Sequence, residues 1–169
     1  MKFFTKLQIT VVIACFLLSL VLLAVSGVYM YNSMQTQYQF FAGGIADTTA
    51  KLIDAGQFAE LSETLDDGLP YYTELQSRLN VLYKGFNPKY LYTMIQRGED
   101  RLVYIVDGMN TDDEDFSSIG TEDTLDNYEP ELLEAFGGKS ISTKILHSDQ
   151  WGELLSAYEI GRASCRERV

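Results

Sequence analysis

The side chains best placed to do chemistry lie in the second half of the chain. Asp107 ends the apolar run Leu102-Val103-Tyr104-Ile105-Val106 and stands beside Gly108. A carboxylate at a strand end can pair with an amine or cation, and it can equally cap a turn. Alternation puts Leu102, Tyr104 and Val106 on one face and Val103, Ile105 and Asp107 on the other. Tyr104 and Asp107 therefore share a face only if a bulge re-aims one of them. Tyr90, Tyr92 and Met94 share a face of the preceding run. Tyrosine joins an apolar ring to a hydrogen-bonding tip, which suits a pocket wall as well as a packed core. Further on, Ser142 and Lys144 share one face of a strand, with Ile141, Thr143 and Ile145 on the other. Lys144 there can pair a carboxylate ligand or lie in solvent. Trp151, beside Gly152, reads as a hairpin-turn residue packed against the domain.

Other chemistries find less support. From Asp107 to Glu134 there are eleven acidic residues and no basic one. Asp112-Asp113-Glu114-Asp115 has carboxylates of the kind Ca²⁺ prefers. Counted from Asp113, however, the sixth position is Ser118 rather than Gly and the twelfth is Thr124 rather than Glu. A solvated acidic loop is the expectation, with no resident metal or cofactor. His147 and Ser148 are sequence neighbours, which does not make a nucleophile–base pair. There is no glycine-rich phosphate loop, and a single His leaves no zinc ligand set. The carboxylates are plentiful, but spacing alone does not position a glycosidase-like pair. The chain is not expected to be an enzyme.

These residues need a scaffold, and the composition describes one. The 169 residues include 13 Lys+Arg and 24 Asp+Glu, net −11, with 46% hydrophobic and 12% aromatic residues. That is globular, and too acidic for a nucleic-acid partner, which needs basic patches. The average hides an asymmetry. No charged residue occurs between Lys6 and Asp47, and Ile9 to Tyr31 is almost continuously apolar. As a helix, that run spans roughly 34 Å, against a hydrocarbon core of about 30 Å. Lys2 and Lys6 precede it and nothing basic follows until Lys51. Positive charge resists translocation, so residues 1–8 are expected in the cytoplasm and residues 32–159 outside the plasma membrane. Two alternatives stay open. Ala24-Val25-Ser26 resembles a signal-peptide cleavage site, although the apolar core before it is long. Val12-Ile13-Ala14-Cys15 resembles a lipidation box, although a longer apolar run follows it.

Beyond the apolar run, Tyr31, Met34, Tyr38, Phe41, Ile45, Thr48 and Leu52 recur at alternating spacings of 3 and 4. This predicts a long helix that continues the membrane helix and is capped by Gly56, with a heptad-like seam. The seam can lie on its own domain, pair with a second copy as a homodimer, or do both. Phe58, Leu61 and Leu65 predict a second helix ending near Gly68. Pro70 opens a third, with Leu75, Leu79 and Leu82 in its stripe and Gly85 at its end. The period then changes from 3.6 to 2. Strands are expected at Tyr90–Gln96 and Leu102–Asp107 around a turn at Gly98-Glu99-Asp100. A polar stretch, a short helix at Pro130–Phe136, and strands at Ser140–His147 and Glu153–Glu159 follow. The order describes an α+β fold with an antiparallel sheet. Residues 160–169, Ile-Gly-Arg-Ala-Ser-Cys-Arg-Glu-Arg-Val, have no apolar period and read like a translated sequencing adapter, so they are set apart from the fold.

The strand pair YLYTMIQRGEDRLVYIVDG and the hairpin HSDQWGELLSAYE, placed after a membrane helix and a long outer helix, resemble the Cache (PDC-like, PAS-like) sensor domains of bacterial transmembrane receptors. The resemblance spans Tyr31 to Glu159 and is most specific at Tyr104–Gly108 and Trp151–Tyr158. Members continue with a further strand pair, a second membrane helix and a cytoplasmic output module. This chain departs from that pattern at Ile160, so the sheet is expected to be incomplete. The resemblance implies that an external small molecule (an amino acid, organic acid or amine) binds between the sheet and the loop and helix over it. Its output would be of chemoreceptor, histidine kinase or diguanylate cyclase type. The candidate ligand-binding residues are Tyr92, Tyr104, Asp107, Lys144 and Tyr158.

Overall fold

The structure is a computed structural model that describes residues 2–148 and 152–161. Trp151, Cys165 and the rest of 162–169 lie outside the described residues. Lys2–Leu52 forms helix α1. Among the described residues it is the helix long and apolar enough to cross a membrane. Every side chain from Phe3 to Tyr31 is exposed. Two of its hydroxyls bond back within the helix: Thr10 donates to the Lys6 carbonyl at 3.0 Å and Ser19 to that of Cys15 at 2.9 Å. Residues 1–38 and 39–169 are separate compact units, and the second holds the end of α1, all the sheets and the remaining helices.

Within this second unit α1 buries Ile45 and Thr49, a one-turn pair. Thr49 loses no hydrogen bond by burial, because its hydroxyl donates to the Ile45 carbonyl at 2.9 Å. Of the heptad-like seam only Ile45 is fully inside; Phe41 and Thr48 are exposed. A helix packed on its own domain follows the 3.6-residue stripe rather than the 3.5-residue seam, so Thr49 replaces Thr48. Gly56 does not cap α1, which ends at Leu52. Asp54 turns the chain instead: its backbone is extended, and its Oδ1 accepts the Gln57 N–H at 2.9 Å, starting α2, Ala55–Thr64.

Helix α2 ends in Leu65, held at φ 51°, a conformation uncommon without glycine. Packing of the Leu65 side chain against the core helps hold it there. Helix α3 is Pro70–Phe86, with Pro at its first turn and Tyr71, Leu75 and Leu79 buried. Gly85 lies inside it, and Asn87 supplies the left-handed cap at φ 51°.

The main sheet is antiparallel, in the order β1 (Tyr92–Arg97), β2 (Arg101–Asp107), β3 (Glu122–Thr124). One face receives α2 and α3: Phe58, Leu61, Leu75 and Leu79 cluster with Val103, Ile105 and Val106. At the end of β2, an added Cβ on Gly108 would stand 3.0 Å from Leu79 Cβ and 3.1 Å from its backbone carbonyl. Gly108→Ala is therefore expected to destabilise the fold by about 1–3 kcal/mol through overpacking. A lower denaturation midpoint at unchanged m-value would register it.

The described residues from 125 onward supply a cover that meets the other face at Tyr104 through Tyr128. It comprises a 3₁₀ turn at Leu125–Asn127, helix α4 (Glu131–Phe136) and short strands β4 (Ile141–Ser142), β5 (Leu146–Ser148), β6 (Gly152–Leu154) and β7 (Ala157–Tyr158). The expected last hairpin is present but interrupted. Strand β4 pairs with β7 and β5 with β6, while Thr143-Lys144-Ile145 faces the shorter Leu155-Ser156. The Thr143 hydroxyl bridges the break by accepting the Ser156 N–H at 2.9 Å. The fold is thus α+β: a long N-terminal helix, then small antiparallel sheets with flanking helices.

Candidate functional site

The site is set by one irregularity. Thr93 pairs with Val106 and Met94 with Tyr104, which leaves Ile105 as an extra residue in β2. Thr93 fits this bulge. Its hydroxyl accepts the Val106 N–H at 2.9 Å and donates to the Val106 carbonyl at 3.2 Å. The bulge turns both Ile105 and Val106 to the helix side, where both are buried in the core. Asp107 is thereby placed opposite Tyr92, on the face that also carries Tyr104, whose ring lies 4.9 Å from that of Tyr92. Strict alternation would separate Tyr104 from Asp107; the bulge brings them to one side.

Asp107 is buried at 2% exposure, and both its oxygens are engaged. Oδ1 accepts the Met109 N–H at 2.8 Å and Oδ2 the Ser117 N–H at 3.0 Å. It closes the turn after β2 and pins the returning acidic loop. Burial holds its carboxyl above the usual carboxylate range, with the two N–H bonds opposing and Asp113 adding repulsion.

Around Tyr92 and Tyr104 the cover supplies Tyr128 and Tyr158. The hydroxyls of Tyr104 and Tyr128 lie 2.8 Å apart, and Tyr128 donates to Asp123 Oδ2 at 2.9 Å. Asp123 is itself fixed by the Thr124 N–H at 2.7 Å and the Asn127 amide at 2.6 Å. Tyr158 donates to Glu129 Oε2, and Ser156 to Glu129 Oε1 at 3.1 Å. Glu129 follows Tyr128 directly in the chain, which joins the two hydrogen-bonded groups into one cluster. Four tyrosines and two carboxylates face each other here, and the hydrogen bonds described for them involve no Lys or Arg.

Burial raises all four phenols above their ordinary value of 10.0. For Tyr128 the neighbouring Tyr92 adds to it, and for Tyr158 the hydrogen bond to Glu129 does. A phenol raised in the fold stabilises the fold fully below its unfolded value and loses that contribution as pH rises through the folded value. Stability is therefore expected to fall as pH climbs above 10.0, with tyrosinate absorbance of the cluster appearing together with loss of structure. Tyrosinate from the cluster in a chain that is still folded near its unfolded value would contradict this.

Of the residues expected from sequence, Tyr92, Tyr104, Asp107 and Tyr158 come together. Lys144 does not join them, being exposed beyond the interrupted β4. Asp112, Asp113, Glu114 and Asp115 are exposed too. Among the described residues no group of three His, Cys, Asp or Glu side chains is set to hold a metal ion. Tyr128, Asp123, Glu129 and Ser156 belong to the site without having been expected. Tyr128 was findable, as an aromatic stranded in a polar acidic stretch. No family model matches this chain, and neither curated proteins nor solved structures give a match.

Proposed function

We propose that the chain is the sensing part of a bacterial transmembrane signal receptor: an external PAS-like domain of the Cache type on a plasma-membrane helix, with its N-terminus in the cytoplasm. The carrying observation is the tyrosine–carboxylate cluster enclosed between one sheet face and its cover, in a chain that begins with a helix apolar enough to cross a bilayer. A phenol-lined site between two layers gives a small molecule an apolar wall with polar tips. The class proposed is an amino acid, organic acid or amine. The acidic outer region, with 8 basic against 22 acidic residues over 32–158, steers cationic and zwitterionic members best. Binding biases signalling only by favouring one conformer of the domain over another.

The partner arrangement proposed is a homodimer through the long helix. The exposed Phe41 ring packs edge-on against exposed Phe86 at 5.8 Å, an aromatic pair that the domain itself leaves uncovered. The chain is proposed to have no catalytic activity of its own.

The test is a thermal-shift screen of the full chain in detergent against amino acids, organic acids and amines. A ligand at about a hundred times its Kd stabilises by about 2.7 kcal/mol, and Tyr92→Phe or Tyr158→Phe is expected to shrink that shift. Absence of a shift from every class, or a shift untouched by both variants, would refute the reading. A topology reporter fused behind residue 60 adds an independent check, being expected active only outside the cytoplasm.

A further inference from the structure

We infer that the β4–β7 ladder is a clip that couples the docking of helix α1 to the packing of the tyrosine cluster, through Gln39, Ser142, Thr143, Ser156 and Glu129. The coupling is a property of the fold and stands whether or not a small molecule binds.

One side of the clip grips α1. The Gln39 amide donates to the Thr143 carbonyl at 2.9 Å and reaches that of Ser142 at 3.4 Å. Ser142 answers, its hydroxyl donating to the Gln39 carbonyl at 3.1 Å. One turn further along α1, a Cβ on Gly43 would stand 3.1 Å from Ser142 Oγ, so a glycine there lets β4 approach the helix closely. The bonds run both ways and the helix surface is cut back to receive the strand. These features make a built joint rather than an incidental contact.

The other side of the clip grips the cluster. Thr143 is buried at 2% exposure. Its N–H donates to the Ser156 carbonyl at 2.8 Å, and its hydroxyl accepts the Ser156 N–H at 2.9 Å. Ser156 and Tyr158 both donate to Glu129. Ile141 pairs with Tyr158 and Ser142 with Ala157 in register. The residue that grips α1 is therefore one position away from the partner of Tyr158.

The dimensions make the joint sensitive. Sliding α1 by one residue's rise, about 1.5 Å, with β4 fixed stretches the 2.9 Å Gln39 bond to about 3.3 Å if it lies across the helix axis and to about 4.4 Å if it lies along it, and a slide of two residues breaks it either way. Either the clip follows the helix and drags Tyr158 and Glu129 with it, or the joint opens. Linkage makes the effect reciprocal: what loosens the cluster must loosen the docking of α1, and by the same factor.

Hydrogen exchange on the full chain in detergent micelles tests this in both directions. Gln39→Ala removes the grip from the helix side. It is expected to speed exchange at residues 155–158 on the order of tenfold, the loss of a hydrogen-bonded joint, while β1–β2 amides near Gly98 keep their rates. Tyr158→Phe is expected to speed exchange at residues 42–49 of α1 in the same way. Gly43→Ala, which crowds Ser142 Oγ from the helix side, serves as the second helix-side variant, decisive on its own should Gln39→Ala not fold. Effects confined to the side of the substitution, or a uniform acceleration that includes β1–β2, would overturn the proposal.

Discussion

Replacing Asp107 with alanine is expected to cost about 3 kcal/mol and to lower the melting temperature by roughly 10 °C. The side chain is buried, and it alone receives the Met109 and Ser117 N–H groups. Removing it leaves the buried Met109 N–H without its acceptor, the costly half of a broken hydrogen bond, and frees the half-buried Ser117 N–H. Asp107→Asn keeps one acceptor oxygen and is expected to lose only about 1–2 kcal/mol. The loop from Met109 to Ser117 should loosen first, seen as faster exchange there than in β1. If Asp107→Ala melts within a degree or two of the parent, the carboxylate does not hold the turn, and an external cation becomes its better explanation.

The same substitution has a pH signature. Burial raises the Asp107 carboxyl above its unfolded value of 3.8. The stability it contributes is therefore complete below 3.8 and is lost as pH rises through the higher folded value. The margin of the parent over Asp107→Ala should be widest in acid and narrower at neutral pH. A margin that widens toward neutral pH would mean that the two N–H bonds outweigh desolvation.

The elements that sequence reveals here are those made by local chemistry. Pro70 with Leu75 and Leu79 marks α3, and Gly98 marks the β1–β2 turn, because a helix start and a tight turn are decided within a few residues. What it hides depends on distant partners. The extra Ile105 shows only once β1 has chosen its register, because Leu102–Val106 is apolar throughout and offers no alternation for a bulge to break. Strand β3 is Glu122-Asp123-Thr124, a poor strand by composition. It forms because Tyr104 exchanges hydrogen bonds with Gly120 and Thr121, extending the ladder to it. Gly56 and Gly85 looked like helix ends, but Gly56 lies in the first turn of α2, which the Asp54 side chain starts, and α3 ends at Asn87, where a left-handed asparagine replaces glycine. Of the site, the sheet's tyrosines were legible from their shared face, whereas Glu129 and Ser156 were not, since only the folded cover brings them to Tyr158.

Glu129 is where the second large effect is expected. It accepts from both Ser156 and Tyr158, so Glu129→Ala strands two hydroxyls at once. Because the residue is half-buried, water repays part of the loss, and a cost of about 2 kcal/mol is expected. Tyr158→Phe removes one of the same bonds, so the double variant should cost less than the sum of the single ones, by about 1 kcal/mol. Strict additivity would mean that the Glu129–Tyr158 bond contributes nothing. The Tyr158 phenol should also ionise at lower pH in Glu129→Ala, because one of the causes raising it is gone, while burial, the larger cause, keeps it above 10.0. The two readings of the cluster part at this residue. A purely structural network loses stability and nothing else. A ligand site loses, in addition, the thermal shift given by whichever compound the screen finds, and loses it even when the variant is compared at equal distance below its own melting temperature.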